Sequence, residues 1–307
     1  MKASPFRPNS PVSPGMFVGR IQEIKRLEEA LIQTKYIQPA HFMITGERGI
    51  GKTSLFLNLT YLAQGKITYN SGEFKFLVID VDVDSNTTQF GLIRRIKMHI
   101  EEQLGHSEPA RNFLKEAWNL IQRLRIMDSG VEAKSEDASG ELLLDEFALT
   151  LSRICNRTSM PDAQALFSAQ YDGILLIIDE ADSCSAELNL GSFLKLLTER
   201  LQRNGCDRVL IGLAGLPDLR TKLHASHESS LRIFEDIQLG CLTSEEVSRV
   251  ITICIEKANK DNTDKTSVTD EARNMLVSLS EGYPHFIQQF GYSAFATLYI
   301  LKKNTSG

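Results

Sequence analysis

The sequence lacks the features that mark membrane proteins, secreted proteins and zinc proteins. No apolar stretch reaches the roughly 18 residues that a membrane span needs, and the N-terminus lacks the charged-then-apolar order of a secretion signal. The five cysteines occur singly, without a C-x-x-C pair or a histidine at ligand spacing, so neither a zinc site nor a disulfide framework is indicated. These absences predict a soluble protein of the reducing cytoplasm, with no membrane partner.

Positive charge is also scarce. The 34 Lys and Arg residues are outnumbered by 39 Asp and Glu residues, which leaves a formal net charge of -5. This excludes the global basic field that holds many proteins on phosphate backbones, so DNA binding would depend on a local patch. The best local cluster, Arg94-Arg95-x-Lys97, favours a solvated helix face over a DNA contact.

The apolar residues form an alternating order of strands and helices, followed by helices alone. The strands read as nearly continuous apolar runs, which is typical of a parallel sheet covered on both faces. The fold class predicted is therefore α/β, an open parallel sheet sandwiched by helices and followed by a small α-helical lid. Strands are predicted at 41–45, 74–83, 173–180 and 208–215, and helices at 21–31, 55–62, 89–104, 111–126, 141–155, 193–203, 244–260, 269–280 and 284–303.

The predicted domains are a proline-rich arm at 1–15, an α/β nucleotide-binding domain at 16–239 and a helical lid at 240–307. Prolines at 5, 8, 11 and 14 suit an extended polyproline II arm and forbid a helix, although a disordered tail explains them equally well. Residues 105–172 are a variable helical insertion. Its central stretch, 127–140, lies in an acid-rich region and is interpreted as a solvated, mobile loop.

A phosphate-binding loop is the strongest motif. The sequence G-E-R-G-I-G-K-T, residues 46–53, stands between an apolar strand and a helix. Glycines let backbone N–H groups converge on phosphates, Lys52 is placed to bridge the β and γ phosphates, and the Thr53 hydroxyl suits Mg²⁺. The residues predicted to bind nucleotide here are Gly46, Glu47, Arg48, Gly49, Ile50, Gly51, Lys52, Thr53 and Ser54.

A second motif ends the strand L-L-I-I-D-E with two adjacent carboxylates. Asp179 is predicted to bind Mg²⁺, and Glu180 to orient and deprotonate the attacking water. Acids at strand ends often only cap the next helix, but the upstream loop favours the catalytic interpretation. Asp182 fits a supporting or capping role better than a catalytic one. The absence of an Asn-Lys-x-Asp pattern favours adenine over guanine, so the predicted cofactors are ATP and Mg²⁺.

The order of these motifs resembles that of the AAA+ and STAND P-loop ATPases, and within them a prokaryotic group related to the origin-recognition ATPases. The resemblance rests on F-V-G-R at 17–20, the two motifs above, L-A-G-L-P-D-L at 213–219, L-R-I-F-E-D-I-Q-L-G-C-L-T-S-E-E-V at 231–247 and E-G-Y-P-H-F-I-Q-Q-F-G at 281–291. It implies that Val18 and Gly19 contact the adenine. The alternative is a plain loop with Arg20 on the surface.

The resemblance also implies that Arg232 reaches the γ-phosphate of a neighbouring subunit, whereas the alternative is an ordinary surface arginine. In the lid, Pro284 is implied to pack by the base, and His285 either touches phosphate or caps the last helix. One departure concerns the strand after the acidic motif, which ends in L-A-G-L without the polar residue that contacts water in the family. Both the missing polar residue and the G-Y-P-H lid sequence favour slow turnover.

Three hypotheses follow. The first is an ATP-hydrolysing switch that forms a homo-oligomer and controls a separate effector protein, by association in bacterial antiviral defence. The second is a DNA-binding ATPase of replication initiation or transposition target selection, against which the negative charge counts. The third is a nucleotide-dependent scaffold that does not hydrolyse ATP, against which the intact Lys52, Thr53, Asp179 and Glu180 argue.

Overall fold

A computed structural model describes residues 4–69, 72–128, 136–261 and 265–305. The strands are β1 Phe42–Thr45, β2 Phe76–Asp82, β3 Gly173–Asp179, β4 Val209–Gly215 and β5 Glu235–Gln238. The helices are α1 Ile21–Lys35, α2 Lys52–Ala63, α3 Gln89–Leu104, α4 Glu108–Asp128, α5 Glu136–Ser159, α6 Ala163–Phe167, α7 Leu190–Arg203, α8 Leu219–Ser226, α9 Ser244–Asp261, α10 Asp270–Ser280 and α11 Pro284–Thr305.

The five strands form one sheet in the order β2-β3-β4-β1-β5. The pairs β1–β4, β2–β3 and β3–β4 are parallel, and every residue of β1, β3 and β4 is buried. Burial on both faces explains why these strands contain so few polar residues. The predicted class, a parallel α/β sheet with flanking helices and a helical C-terminal region, is confirmed.

The sequence prediction missed β5, because its residues E-D-I-Q carry only one apolar side chain, Ile237. The stretch predicted as a loop at 127–140 is also wrong in part. Residues 127 and 128 end α4, and 136–140 already belong to α5; the rest of that stretch lies outside the described residues. The residues E-D-A-S-G at 136–140 thus extend α5 by about one turn before the apolar pattern on which the prediction rests.

The chain forms two compact units. The first, here called the loop unit, comprises Met1–Ile24, Gly46–Leu59 and Gln238–Gly307, and the second, the sheet unit, comprises Lys25–Thr45 and Thr60–Ile237. These limits differ from those of the predicted domains, whose division stays a prediction. Among the residues that the structure describes, no helix is both long and apolar enough to cross a membrane.

The proline-rich arm belongs to the loop unit and packs there through Phe6, of which only 4% is exposed. Phe6 lies against Gly291, where a Cβ atom would be 2.4 Å from the Phe6 ring. The backbone N–H of Arg7 donates to the Gln288 side chain at 2.8 Å. The arm also contains one short 3-10 turn, Pro14–Met16, contrary to the expectation of no helix, because proline is compatible with the first position of a helical turn.

The end of the sheet where β1 begins contains a half-buried histidine that makes stability depend on pH. His41 Nδ1 accepts the Ile211 N–H at 3.1 Å, and burial lowers the pKa of His41 from 6.5 to about 4. Below pH 6.5 His41 is therefore protonated in the unfolded chain, whereas in the folded chain it stays neutral until about pH 4. We expect this difference to remove up to about 3 kcal/mol of stability as the pH falls through that window.

Chemical denaturation at several pH values measures this effect. In His41→Asn the amide oxygen can still accept the Ile211 N–H, and the variant should lose less stability than the wild type between neutral pH and pH 4. The exposed His224, changed to Asn, is the matched control and should keep the wild-type slope. Equal slopes for the wild type and His41→Asn would contradict the assignment.

Candidate functional site

The phosphate-binding loop directly follows β1 and ends where α2 begins. Gly49 and Gly51 have φ angles of +79° and +102°, which residues with a side chain rarely adopt. A Cβ at Gly49 would lie 2.8 Å from the His285 Cβ. Glycine is thus required at Gly49 for both conformation and space, which agrees with a loop that presents bare backbone.

A second helix begins beside this loop. Pro284 is the first residue of α11, and the His285 backbone N–H donates to the Gly49 carbonyl at 3.2 Å. The predicted lid residues Pro284 and His285 therefore lie at the loop, within the same unit. The N-termini of α2 and α11 both start here, and helix N-termini carry partial positive charge and exposed N–H groups that favour anions.

The side chains within the loop differ in their contacts and in their exposure. Lys52 Nζ donates to the carbonyls of Gly46 at 2.7 Å and Glu47 at 3.2 Å. The Ser54 hydroxyl accepts the backbone N–H of Val12, in the arm, at 3.1 Å. The side chains of Glu47, Arg48 and Thr53 are exposed.

Arg20 holds the phosphate-binding loop in place through its guanidinium group. Only 8% of this residue is exposed, so the interpretation that places it on the surface is wrong. Its guanidinium donates to the Ile50 carbonyl at 3.3 Å and to the Gly240 carbonyl, and lies 3.5 Å from the Glu23 carboxylate. The planar guanidinium can bind several acceptors at once, and here it connects the loop to the residues before the lid helices.

An apolar cavity of about 50 Å³ lies next to Ile50 and Gly51. Its walls include Met16, Phe17, Val18, Leu242, Pro284 and Ile287. Val18, which is predicted to contact adenine, is thus placed with Pro284 in one apolar site. Gly19 lies beside it with a φ of +76°, and a Cβ there would be 2.5 Å from the Glu246 carboxylate.

The predicted acidic motif lies in the sheet unit, at the end of β3. Asp179 is 8% exposed, and one of its carboxylate oxygens accepts the backbone N–H of Glu180 at 2.8 Å. Glu180 is exposed and has a φ of +52°, in the left-handed region that non-glycine residues seldom occupy. This turn directs the two adjacent side chains differently, one towards the sheet and one towards solvent.

Asp182 has the supporting role that the sequence analysis favoured. Its carboxylate accepts the backbone N–H of Leu216 at 2.9 Å, and Lys222 donates to its carbonyl. Asp182 thereby fixes the chain where β4 ends. The end of β4 consists of Leu213, Ala214 and Gly215, so the polar residue expected in the family is absent at this strand end.

Two further acids, Asp80 and Asp82, escaped the sequence analysis. Asp82 is paired with Asp179 in the β2–β3 register. Burial, followed by repulsion from Asp179 and Asp82, raises the pKa of Asp80 from 3.8 to about 6, so negative charge is concentrated at this edge. The D-V-D sequence at the end of an otherwise apolar strand was the signal that could have identified both residues.

The carboxyl ends of β1 and β3 lie on the same side of the sheet. Both β1 and β3 pair with β4 in parallel, so their carboxyl ends point the same way, and Gly46 follows the last residue of β1. In α/β sheets, ligands bind outside the carboxyl ends of strands. The acidic motif at the end of β3 therefore lies where α/β sheets bind ligands.

Residues 37–223, more than half of the chain, match the model of a family described as the AAA domain. The chain belongs to this family. The AAA domain family is a family of P-loop ATPases, so the first part of the predicted resemblance is confirmed. No curated protein matches the sequence.

Two solved structures have the same fold as this AAA protein. Cdc6p from Pyrobaculum aerophilum aligns with a TM-score of 0.55 and 14% identity over 98% of this chain and 66% of that chain. The ORC2 protein of Aeropyrum pernix, in ADPNP–ADP complexes, aligns with a TM-score of 0.54 and 14% identity over 98% of this chain and 67% of that chain. This chain thus spans about two thirds of the length of each.

Basic residues of this AAA protein differ in how they are placed. Arg232 lies in the short 3-10 turn Ser230–Ile233 and is exposed. In the cluster on α3, Arg95 forms an ion pair with Asp84 at 3.0 Å and Lys97 one with Glu101 at 3.5 Å. Most of the charge of that cluster is therefore neutralised within the protein, which agrees with a solvated face.

Proposed function

We propose that this protein binds ATP with Mg²⁺ and hydrolyses it to ADP and phosphate. One observation carries the proposal: the loop unit combines a bare glycine loop, two helix N-termini and an adjoining apolar cavity. Such a combination provides N–H donors for phosphates beside an apolar surface for a base. Family membership supports the same activity.

The roles of individual residues follow from their chemistry. Backbone N–H groups of 46–54 bind the phosphates, and Lys52 moves from the loop carbonyls to the β and γ phosphates. Val18, Gly19 and Pro284 contact the adenine. His285 lies with its backbone at Gly49, so we assign it to the phosphate side of the nucleotide.

Magnesium fits the donors that the chain offers. Among the described residues no group of three or more His, Cys, Asp or Glu side chains could hold a metal alone, and Mg²⁺ commonly takes one or two protein ligands together with phosphates and water. We assign Thr53 and Asp179 as these ligands. The ion would neutralise charge on the phosphates.

Hydrolysis requires a base for the attacking water, and we assign Glu180. Its exposed carboxylate, set apart from Asp179 by the left-handed turn, is free to accept the proton of a water molecule, which then attacks the γ-phosphorus. Because β4 ends without a polar side chain, one contact to that water is missing. We expect slow turnover for this reason.

The biological setting belongs to the proposal as well. The fold shared with Cdc6p and ORC2 supports an initiator-type ATPase that acts on DNA better than it supports the antiviral switch with a separate effector. The net charge is -5, and basic residues of α3 are paired with acids. We therefore expect DNA binding by an assembled oligomer and not by a single subunit. In an oligomer a few basic residues per subunit suffice, and binding must weaken steeply with salt.

Assembly is testable through Arg232. We propose that its guanidinium stabilises the γ-phosphate of a neighbouring subunit, so the rate per subunit should rise with protein concentration. Arg232→Ala should remove at least about tenfold of the rate at high concentration. The exposed Arg203, changed to Ala, is the matched control and should leave the rate unchanged.

The experiment is phosphate release by wild type, Arg232→Ala and Arg203→Ala over a wide protein range, with and without duplex DNA at low salt. A rate of phosphate release that rises with protein concentration and with added DNA supports the initiator-type ATPase. A rate that rises with protein concentration but does not change with DNA supports the ATP-hydrolysing switch that controls a separate effector. Absence of phosphate release above background, together with measurable ATP binding, would leave only the scaffold hypothesis.

A further inference from the structure

Two cysteines that are distant in sequence meet in the sheet unit. Cys155 belongs to α5, and Cys206 lies in the turn between α7 and β4. Their side chains are hydrogen-bonded to each other, and the Cys155 sulfur is also 3.5 Å from the Arg208 carbonyl oxygen. Exposed fractions of 0% and 3% show that both side chains are buried. The two thiols are therefore in contact and shielded from most large reagents.

A cavity leads to one of them. It has a volume of about 490 Å³ and lies at the edge of the sheet where β1 and β4 begin, away from the carboxyl ends. Cys206 is part of its wall, together with His41, Thr198 and Gln202, whereas Cys155 is not. A water molecule occupies about 30 Å³ in the liquid, so the cavity admits a small polar reagent to Cys206 first.

The environment of the pair assigns different roles to the two sulfur atoms. The hydrogen bond with Cys155, assisted by the Arg208 backbone, lowers the pKa of Cys206 against the opposing effect of burial. The same hydrogen bond, together with burial, raises the pKa of Cys155. Since the thiolate is the reactive form, Cys206 is the better nucleophile of the pair.

We propose that Cys206 and Cys155 form a peroxide-reactive dithiol, with Cys206 as the attacking thiol and Cys155 as the resolving thiol. The Cys206 thiolate attacks one oxygen of hydrogen peroxide, the O–O bond breaks, and the departing hydroxide takes a proton and leaves as water. The Cys155 sulfur then attacks the sulfur of the resulting sulfenic acid. The S–O bond breaks, hydroxide takes the Cys155 proton, and a second water leaves.

The balance is two thiols and one peroxide to one disulfide and two waters. The thiols are oxidised by two electrons and the peroxide is reduced by two. The product links α5 covalently to the segment that precedes β4. Formation of this disulfide does not depend on nucleotide hydrolysis. Its test therefore gives a result whether or not the protein hydrolyses ATP.

Mass spectrometry of the intact protein and of tryptic peptides tests the proposal. The two cysteines fall in separate short peptides, I-C-N-R at 154–157 and N-G-C-D-R at 204–208, and the other three cysteines fall elsewhere. Hydrogen peroxide is added to the wild-type protein, free thiols are alkylated, and the monomer is digested without reduction. We expect a disulfide between these two peptides and a loss of about two hydrogen masses.

The other thiols serve as internal references. Cys241 is exposed, while burial raises the pKa of Cys184, and burial raises the pKa of Cys254 to about 12. Peroxide is titrated until Cys241 is half oxidised. If both Cys155 and Cys206 remain fully alkylatable at that point, or pair with other cysteines, the proposal is wrong.

Variants separate the two roles. In Cys155→Ser the sulfenic acid on Cys206 has no resolving thiol and should be captured by a dione reagent specific for sulfenic acids. In Cys206→Ser we expect Cys155 to stay reduced. Capture of a sulfenic acid on Cys155 in that variant would reverse the assignment of the attacking thiol. Circular dichroism confirms that each variant is folded, and the wild-type map remains decisive if one is not.

Discussion

Glu180→Gln is expected to lower the rate of phosphate release about 10²- to 10⁴-fold, the range typical of losing a general base. The amide cannot accept the proton of the attacking water. The side chain is exposed and its backbone turn is fixed by the bond to Asp179, so the substitution should leave the fold unchanged. ATP binding should persist, because the proposed contacts to phosphates and base come from the loop unit.

The measurement pairs single-turnover phosphate release with equilibrium binding of a fluorescent ATP analogue. Glu187→Gln is the matched control, since Glu187 is an exposed acid in the short turn Ala186–Leu188 that follows. It should behave as the wild type. If Glu180→Gln retains more than half of the wild-type rate, the base is another group and the assigned mechanism is wrong.

Arg20→Ala is expected to weaken ATP binding at least about tenfold and to destabilise the protein by about 1 to 3 kcal/mol. The substitution removes the donors to two carbonyls, those of Ile50 and Gly240. The Ile50 acceptor is buried, and a buried acceptor without a partner costs about 1 to 3 kcal/mol, whereas Gly240 is exposed and its carbonyl can bind water. The loop then loses the side chain that fixes its backbone at Ile50. An effect on affinity is therefore expected although Arg20 is not assigned a contact to the nucleotide.

A matched control is available in α1, the helix that follows Arg20. Arg26 is 38% exposed and forms an ion pair with Glu235 at 2.6 Å, a type of surface contact worth at most about 1 kcal/mol. Arg26→Ala should leave ATP affinity unchanged and cost little stability. Equal effects of the two substitutions in thermal denaturation and in nucleotide binding would show that Arg20 has no special role in the loop.

Most of the fold was predictable from short sequence patterns. The apolar runs before Asp179 and Gly215 predict buried parallel strands, and the glycine loop between a strand and a helix predicts where α2 begins. These features depend on neighbouring residues, so they can be read directly from the chain. The strand β5 could not, because an edge position requires little apolar character.

Features formed by distant residues were not predictable in the same way. Nothing near Arg20 in the sequence shows that Gly240 will accept its hydrogen bond, and an arginine before a helix usually remains exposed. The meeting of Cys155 with Cys206 depends likewise on the packing of α5 against the sheet. From the sequence alone these residues are therefore isolated, and the structure changes the interpretation of each.

The loop unit is built from three separate parts of the chain, and this has a consequence during protein synthesis. Its contacts include the bond from Arg7 to Gln288, which spans 281 positions. Domains fold as units while the chain emerges, and the sheet unit is complete once residue 237 has been made. The last part of the loop unit is made only when α11 has emerged. Nascent chains from which the sheet unit has emerged but α11 has not should therefore contain a folded sheet that cannot yet retain ATP.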